Sequence, residues 1–149
     1  MALYEQITSD LKTAMKSGDQ VRVDTLRFVL SGINNFKKEK SVKQPDAAVT
    51  DDEVVSILQK EVKKRKESIE LFKQGGRNDL VTKEESDLAI IAAYVPKELS
   101  REEIEKIVDA AMAAGAKDFN GVMKEAMKEV KGRADGKTVG EVIKAKLGV

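Results

Sequence analysis

Apolar residues return every three or four positions along nearly the whole chain, the period of a helix buried on one side rather than the alternation of a half-buried strand. Leu3, Ile7, Leu11, Ala14 and Met15 mark a first helix, and Gly18 stands where a left-handed residue would end it. Asp19 is placed to cap a second helix, carrying Val23, Leu26, Leu30, Ile33 and Phe36 and running to about Lys40. Residues 41–49 contain Pro45 and lose the period, which predicts a loop. Thr50-Asp51-Asp52-Glu53 fits a capping box, and the helix it opens carries Val54, Leu58, Val62, Ile69 and Phe72 before Gly75-Gly76. Asn78 or Thr82 is placed to cap a fourth helix through Leu88, Ile91 and Tyr94, which Pro96 stops.

Beyond Pro96 the segments shorten. Ser100 and Glu103 form a second capping box ahead of Ile104, Ile107, Val108, Ala111 and Met112, with Gly115 as the stop. Asp118 opens a helix with Val122, Met123, Ala126, Met127 and Val130, and Thr138 is read as opening the last, with Val139, Val142, Ile143 and Leu147. The expectation is an all-α chain: residues 1–96 an N-terminal bundle of four helices, residues 97–149 a small three-helix tail domain. Composition agrees, since aromatic residues are 4% of the chain and only two prolines occur. A module of about 50 residues is marginal alone by surface-to-volume scaling.

The chain has neither cysteine nor histidine. Disulfides, thiolate nucleophiles, Ser-His-Asp chemistry and nearly all structural zinc sites are thereby excluded, and no metal or cofactor is expected. Residues 1–14 read as an amphipathic segment with Glu5 and Asp10 inside it, unlike a signal peptide, and no apolar run approaches the roughly 20 residues of a membrane span. A cytoplasmic protein with no membrane partner is expected. Net charge is +1 although 36% of residues are charged, so any electrostatic footprint is local.

Two local excesses stand out. From residue 117 onward eight Lys/Arg face five Asp/Glu, and Lys124, Lys128 and Lys131 are spaced to share one helix face. With Arg133, Lys137 and Lys144 they are candidates for contact with successive phosphates; a solvated surface face is the alternative. Lys60, Lys63, Lys64 and Arg65, followed by Lys66, form a second cluster, diluted by Glu61, Glu67 and Glu70. Gly132-Arg133-Ala134-Asp135-Gly136-Lys137-Thr138 superficially suggests a phosphate loop, but three residues separate its glycines where four are required, and a helix precedes it. It reads better as a helix-helix turn, from which Lys131, Arg133 and Lys137 could still face an external phosphate backbone. Arg27, beside Leu26 and Leu30, is expected to hold a carboxylate between helices, with anion binding as the alternative. Asp51-Asp52 and Glu84-Glu85 are expected at helix starts, opposing the macrodipole, rather than as acid-base pairs. No catalytic constellation is seen.

Thr25-Leu26-Arg27, Lys64-Arg65-Lys66-Glu67-Ser68-Ile69, Gly75-Gly76-Arg77 with Asp79-Leu80, Tyr94-Val95-Pro96 with Leu99-Ser100, and Val122-Met123-Lys124 ahead of residues 131–137 together resemble the GatB/YqeY family, closest to its stand-alone members. The set is collinear over nearly the whole chain. In that family the two helical modules form the C-terminal part of the B subunit of the aspartyl/glutamyl-tRNA amidotransferase, where the tail is associated with holding tRNA. The resemblance implies a tRNA-associated binding module without the catalytic domain, with tRNA and a protein of tRNA metabolism as partners. The carbon-nitrogen ligase class with glutamine as amido donor is then only a family label. A protein-protein interaction module without RNA is the alternative function. Where the family often has Gly-Lys before Val-Met, this chain has Asn120-Gly121.

Overall fold

The computed structural model describes residues 2–149, and among these all regular structure is helical: α1 (Ala2–Ser17), α2 (Gln20–Lys43), α3 (Asp51–Gln74), α4 (Asn78–Ala92), α5 (Arg101–Ala113), α6 (Phe119–Val130) and α7 (Gly136–Leu147). The chain divides into two compact units, Met1–Val95 and Pro96–Val149, so Pro96 begins the second unit.

In the first unit Ile7 of α1, Leu26 and Ile33 of α2, Val54 and Leu58 of α3 and Ile91 of α4 are almost completely buried in one core. Val49 joins them from the loop, which starts after Lys43 because α2 runs on past the charged stretch. That extension is held at its base: the Lys40 ammonium donates to the Ala48 carbonyl at 2.9 Å and pairs with Glu53. Glu53 also completes the Thr50 capping box at the start of α3. Lys40 and the Thr50 amide hold its carboxyl below the usual carboxylate range. α3 ends in a Schellman turn, with Arg77 N–H donating to the Phe72 carbonyl at 2.9 Å and Gly76 at φ +70°, a conformation that favours glycine. α4 therefore starts at once, at Asn78. Neither expected cap is used: Arg77 holds the N-cap position without a side-chain bond, and the Thr82 hydroxyl donates to the Asn78 carbonyl within the helix. This moves Glu84-Glu85 from a helix start to mid-helix, where Glu84 pairs with Arg65 and Glu85 with Lys73.

In the second unit Ile104 and Val108 of α5, Val122, Ala126 and Val130 of α6, and Val139, Val142 and Ile143 of α7 form a separate core. The Ser100–Glu103 capping box opens α5. α6 and α7 are joined as a helical hairpin by residues 131–135, and Phe119 at the start of α6 lies against Gly140 in α7, 3.6 Å from the place a methyl there would occupy. α7 begins earlier than its Thr138 signal: Asp135 is the cap and accepts the Thr138 N–H at 2.7 Å, so Gly136-Lys137-Thr138 is a first helical turn.

Candidate nucleic-acid interface

Asp118 caps α6 by accepting the Gly121 N–H at 3.1 Å, and a Cβ at position 121 would lie 2.6 Å from that carboxylate oxygen. The Asn120-Gly121 departure has a local reason: glycine lets the short Asp118 side chain close over the helix end.

Past this cap α6 presents its basic residues outward. Lys124 and Lys128 are exposed, four residues apart, and Lys131 continues the same edge at the C-cap. Lys128 reaches Glu125 at 3.3 Å, an exposed pair of little energetic weight. Lys131 is the sole non-glycine residue at positive φ among the described residues, in left-handed geometry at φ 51° and ψ 41°, and Gly132 follows at φ 78°. Lys137 is exposed in the first turn of α7. Lys144 is exposed on α7 with its ammonium 6.0 Å from the Phe119 ring centroid, a weak cation-π contact.

Arg133 is used differently. Its Nε donates to the Lys97 carbonyl at 2.9 Å, and its own carbonyl accepts the Leu99 N–H at 2.8 Å, so it ties residues 97–99 to the hairpin turn. Charge is unevenly spread in this unit. Residues 97–116 carry three Lys/Arg and five Asp/Glu, whereas the eight cations from residue 117 onward outnumber five anions, so the basic excess belongs to the hairpin and not to α5.

The second cluster separates on folding. Lys60, Lys63 and Lys64 are exposed along α3, but Arg65 turns inward with its side chain only 12% exposed. It donates to Glu61 Oε1 at 2.9 Å, Glu84 Oε2 at 3.1 Å and Asp87 Oδ2 at 3.0 Å, and lies 5.2 Å from the Phe28 ring centroid. Asp87 is itself buried and accepts the hydroxyl of buried Thr25 at 3.0 Å. A guanidinium suits this position because its donors serve several carboxylates in one plane while its face packs on an aromatic ring. Arg27, expected to be the interhelical arginine, is exposed and makes no ion pair among the described residues. The turn after Leu26 carries it off the buried face, and Arg65 fills that role from the opposing helix. Arg22 pairs with Asp19 at 3.6 Å beside the Tyr94–Asp10 hydrogen bond.

Comparison with known proteins decides the family. The family model described as "Yqey-like protein" matches residues 4–147. The chain belongs to this family. Among relatives of the YqeY-like chain, "Altered inheritance of mitochondria protein 41, mitochondrial" of Pyrenophora tritici-repentis is 31% identical over 87% of this chain and 71% of its own length. The protein of that name from Saccharomyces cerevisiae is 32% identical over 93% of this chain and 73% of its own length. That of Lachancea thermotolerans is 38% identical over a shorter stretch, 60% of this chain and 46% of its own. These relatives are mitochondrial by name; in the YqeY-like chain no described helix is long and apolar enough to cross a membrane.

Proposed function

We propose that this YqeY-like chain is a non-catalytic tRNA-associated binding protein, with the first unit as platform and the second as the tail that touches RNA. The supporting observation is the edge of α6, where Lys124, Lys128 and Lys131 follow one another at helical spacing in a unit whose basic excess lies in α6 and α7 while α5 is acidic. Phosphates are read by charge and spacing without sequence preference, which is what flexible, exposed ammonium groups supply. Lys137 and Lys144 extend the candidate surface along α7, whereas Arg133 serves the fold. Nucleophilic chemistry has no cysteine or histidine to draw on, so amidation is assigned to other proteins. A compartment with its own tRNA pool fits this role: the cytoplasm for this chain, and by name the mitochondrion for the fungal relatives.

Filter retention of bulk tRNA tests the reading. If three to six phosphates are neutralised, affinity falls by about one to three decades between 50 and 200 mM salt. Retention that is not saturable, or that ignores salt, overturns it.

A further inference from the structure

The Arg65 node forms the floor of a cleft of about 460 Å³ between α2 and α4, lined by residues of the first unit alone. Its α2 wall carries Val21 and Phe28, 52% and 50% exposed, two of only six large apolar side chains so exposed among the described residues. Seven residues apart on one helix, they stand two turns or roughly 10 Å from each other on the same face. Asp24 lies between them on the rim, and the α4 wall opposite presents Asp79, Thr82 and Ser86.

Charge decides what fits. Around the cleft and its floor, the carboxylates of Asp24, Asp79, Asp87, Glu61 and Glu84 outnumber the cations Arg65, Lys83 and Arg77, the last bound to Asp79. Arg65 is shared by three of those carboxylates, so the excess negative charge lies at the floor, while on the rim Asp24 and Asp79 stand beside the apolar anchors together with Lys83 and Arg77. A phosphate backbone is repelled by this excess of carboxylates. An amphipathic helix is not: apolar residues at i, i+3 or i+4 and i+7 match a two-turn pair of anchors, and lysines bordering that stripe meet the rim carboxylates.

We propose that this cleft docks a helical segment of a partner protein whose apolar stripe is bordered by Lys or Arg. The test uses the full chain and two fluorescein-labelled 16-residue helical peptides, one with leucine at every third or fourth position and lysine on the flanks, the other with glutamate replacing lysine. Fluorescence anisotropy is expected to show saturable binding of the lysine peptide only. Phe28→Ala should weaken it at least tenfold, and Asp24→Lys with Asp79→Lys should abolish it, each with an unchanged circular dichroism spectrum. Lys124→Gln should leave it intact. Equal binding of both peptides, indifference to Phe28→Ala, or no saturation overturns the proposal. So does a Phe28-dependent dimer of this chain in ultracentrifugation, or displacement of the lysine peptide by tRNA that Lys124→Gln leaves unchanged. Failure of the tRNA retention assay bears only on the separate RNA reading.

Discussion

The basic run on α3 and the basic run on α6 are both built largely of lysine on a helix, yet their cations end in different physical situations. On α6 the three lysines follow one edge beside the buried stripe of Val122, Ala126 and Val130 and never enter it. On α3 the run crosses the stripe, and the residue at the crossing, Arg65, is drawn into the bundle to serve three carboxylates. A cation's helical phase relative to the apolar positions, more than the density of its run, determines whether it is available to a ligand. The second unit shows a related effect in a turn: Arg133 adjoins the basic edge, but its Nε–H is given to the Lys97 carbonyl, which fixes where the guanidinium points.

The sharpest break of this comparison is Arg65→Met. Methionine keeps the stem's packing but leaves Glu61, Glu84 and Asp87 crowded without their shared cation, and Asp87 is 8% exposed. Removing one side of such a buried network costs about 3 kcal/mol, which should appear as a lower urea midpoint for the first unit. Lys64→Met, one position away and exposed, should change it by less than about 0.5 kcal/mol. Equal effects of the two would mean that Arg65 is not the structural member of its run.

Next in size is the contrast within the second unit. Replacing Lys124, Lys128 and Lys137 together by glutamine should lower tRNA affinity at least tenfold and reduce the salt slope by roughly two to three, slightly under one for each phosphate that is no longer neutralised. Arg133→Gln should leave that slope unchanged. Its cost falls on stability, about 1 kcal/mol for one charge-assisted bond near the surface, read as a lower melting temperature. If Arg133→Gln alone changes the slope as much as the triple variant does, the division between folding and ligand-facing cations is wrong.

Much of this is legible in the residues. Both capping boxes, the Asp118 cap and the glycine stops are local chemistry, decided within four or five positions, and the structure uses them as the sequence signals. The α4 start is less legible, because the Schellman turn after Gly76 delivers the chain straight into a helix and makes a side-chain cap unnecessary. At the start of α7 two cap-forming residues compete, and Asp135 prevails over Thr138 because Asp is at least as good a cap and stands three residues earlier. Arg65 carries a partly readable signal: Val54, Leu58, Val62, Ile69 and Phe72 leave one gap in their three-or-four spacing, which Arg65 or Lys66 would fill. What no local pattern supplies is its partners. Asp87 and Thr25 lie 22 and 40 residues away, and only tertiary packing brings α2, α3 and α4 to one point.

Tyr94 separates the two units by pH. Both tyrosines of the chain, Tyr4 and Tyr94, belong to the first unit, and burial together with the hydrogen bond to Asp10 raises the Tyr94 hydroxyl far above its ordinary value of 10.0. The unfolded chain releases this proton near pH 10 while the folded chain retains it, so the stabilisation is complete below that pH and is lost progressively above it. Denaturant midpoints measured from about pH 9 to 11 should fall, and Tyr94→Phe should flatten the fall. An unchanged slope in the variant would show that the alkaline loss arises elsewhere.

The smallest expected effect bears on whether Lys131 is a ligand contact or merely a tolerated cap. Its left-handed backbone costs a side-chain-bearing residue about 1 kcal/mol, and glycine would be relieved of that strain while losing more entropy on folding. Lys131→Gly should therefore stabilise the second unit by a net of about 0.5 kcal/mol. Strain retained where a common substitution would remove it is more often found where the side chain has work elsewhere. In tRNA retention the variant should bind two- to fivefold more weakly despite its higher melting temperature. A variant that gains stability and keeps full affinity removes Lys131 from the basic edge and confines the proposed contact to Lys124, Lys128 and α7.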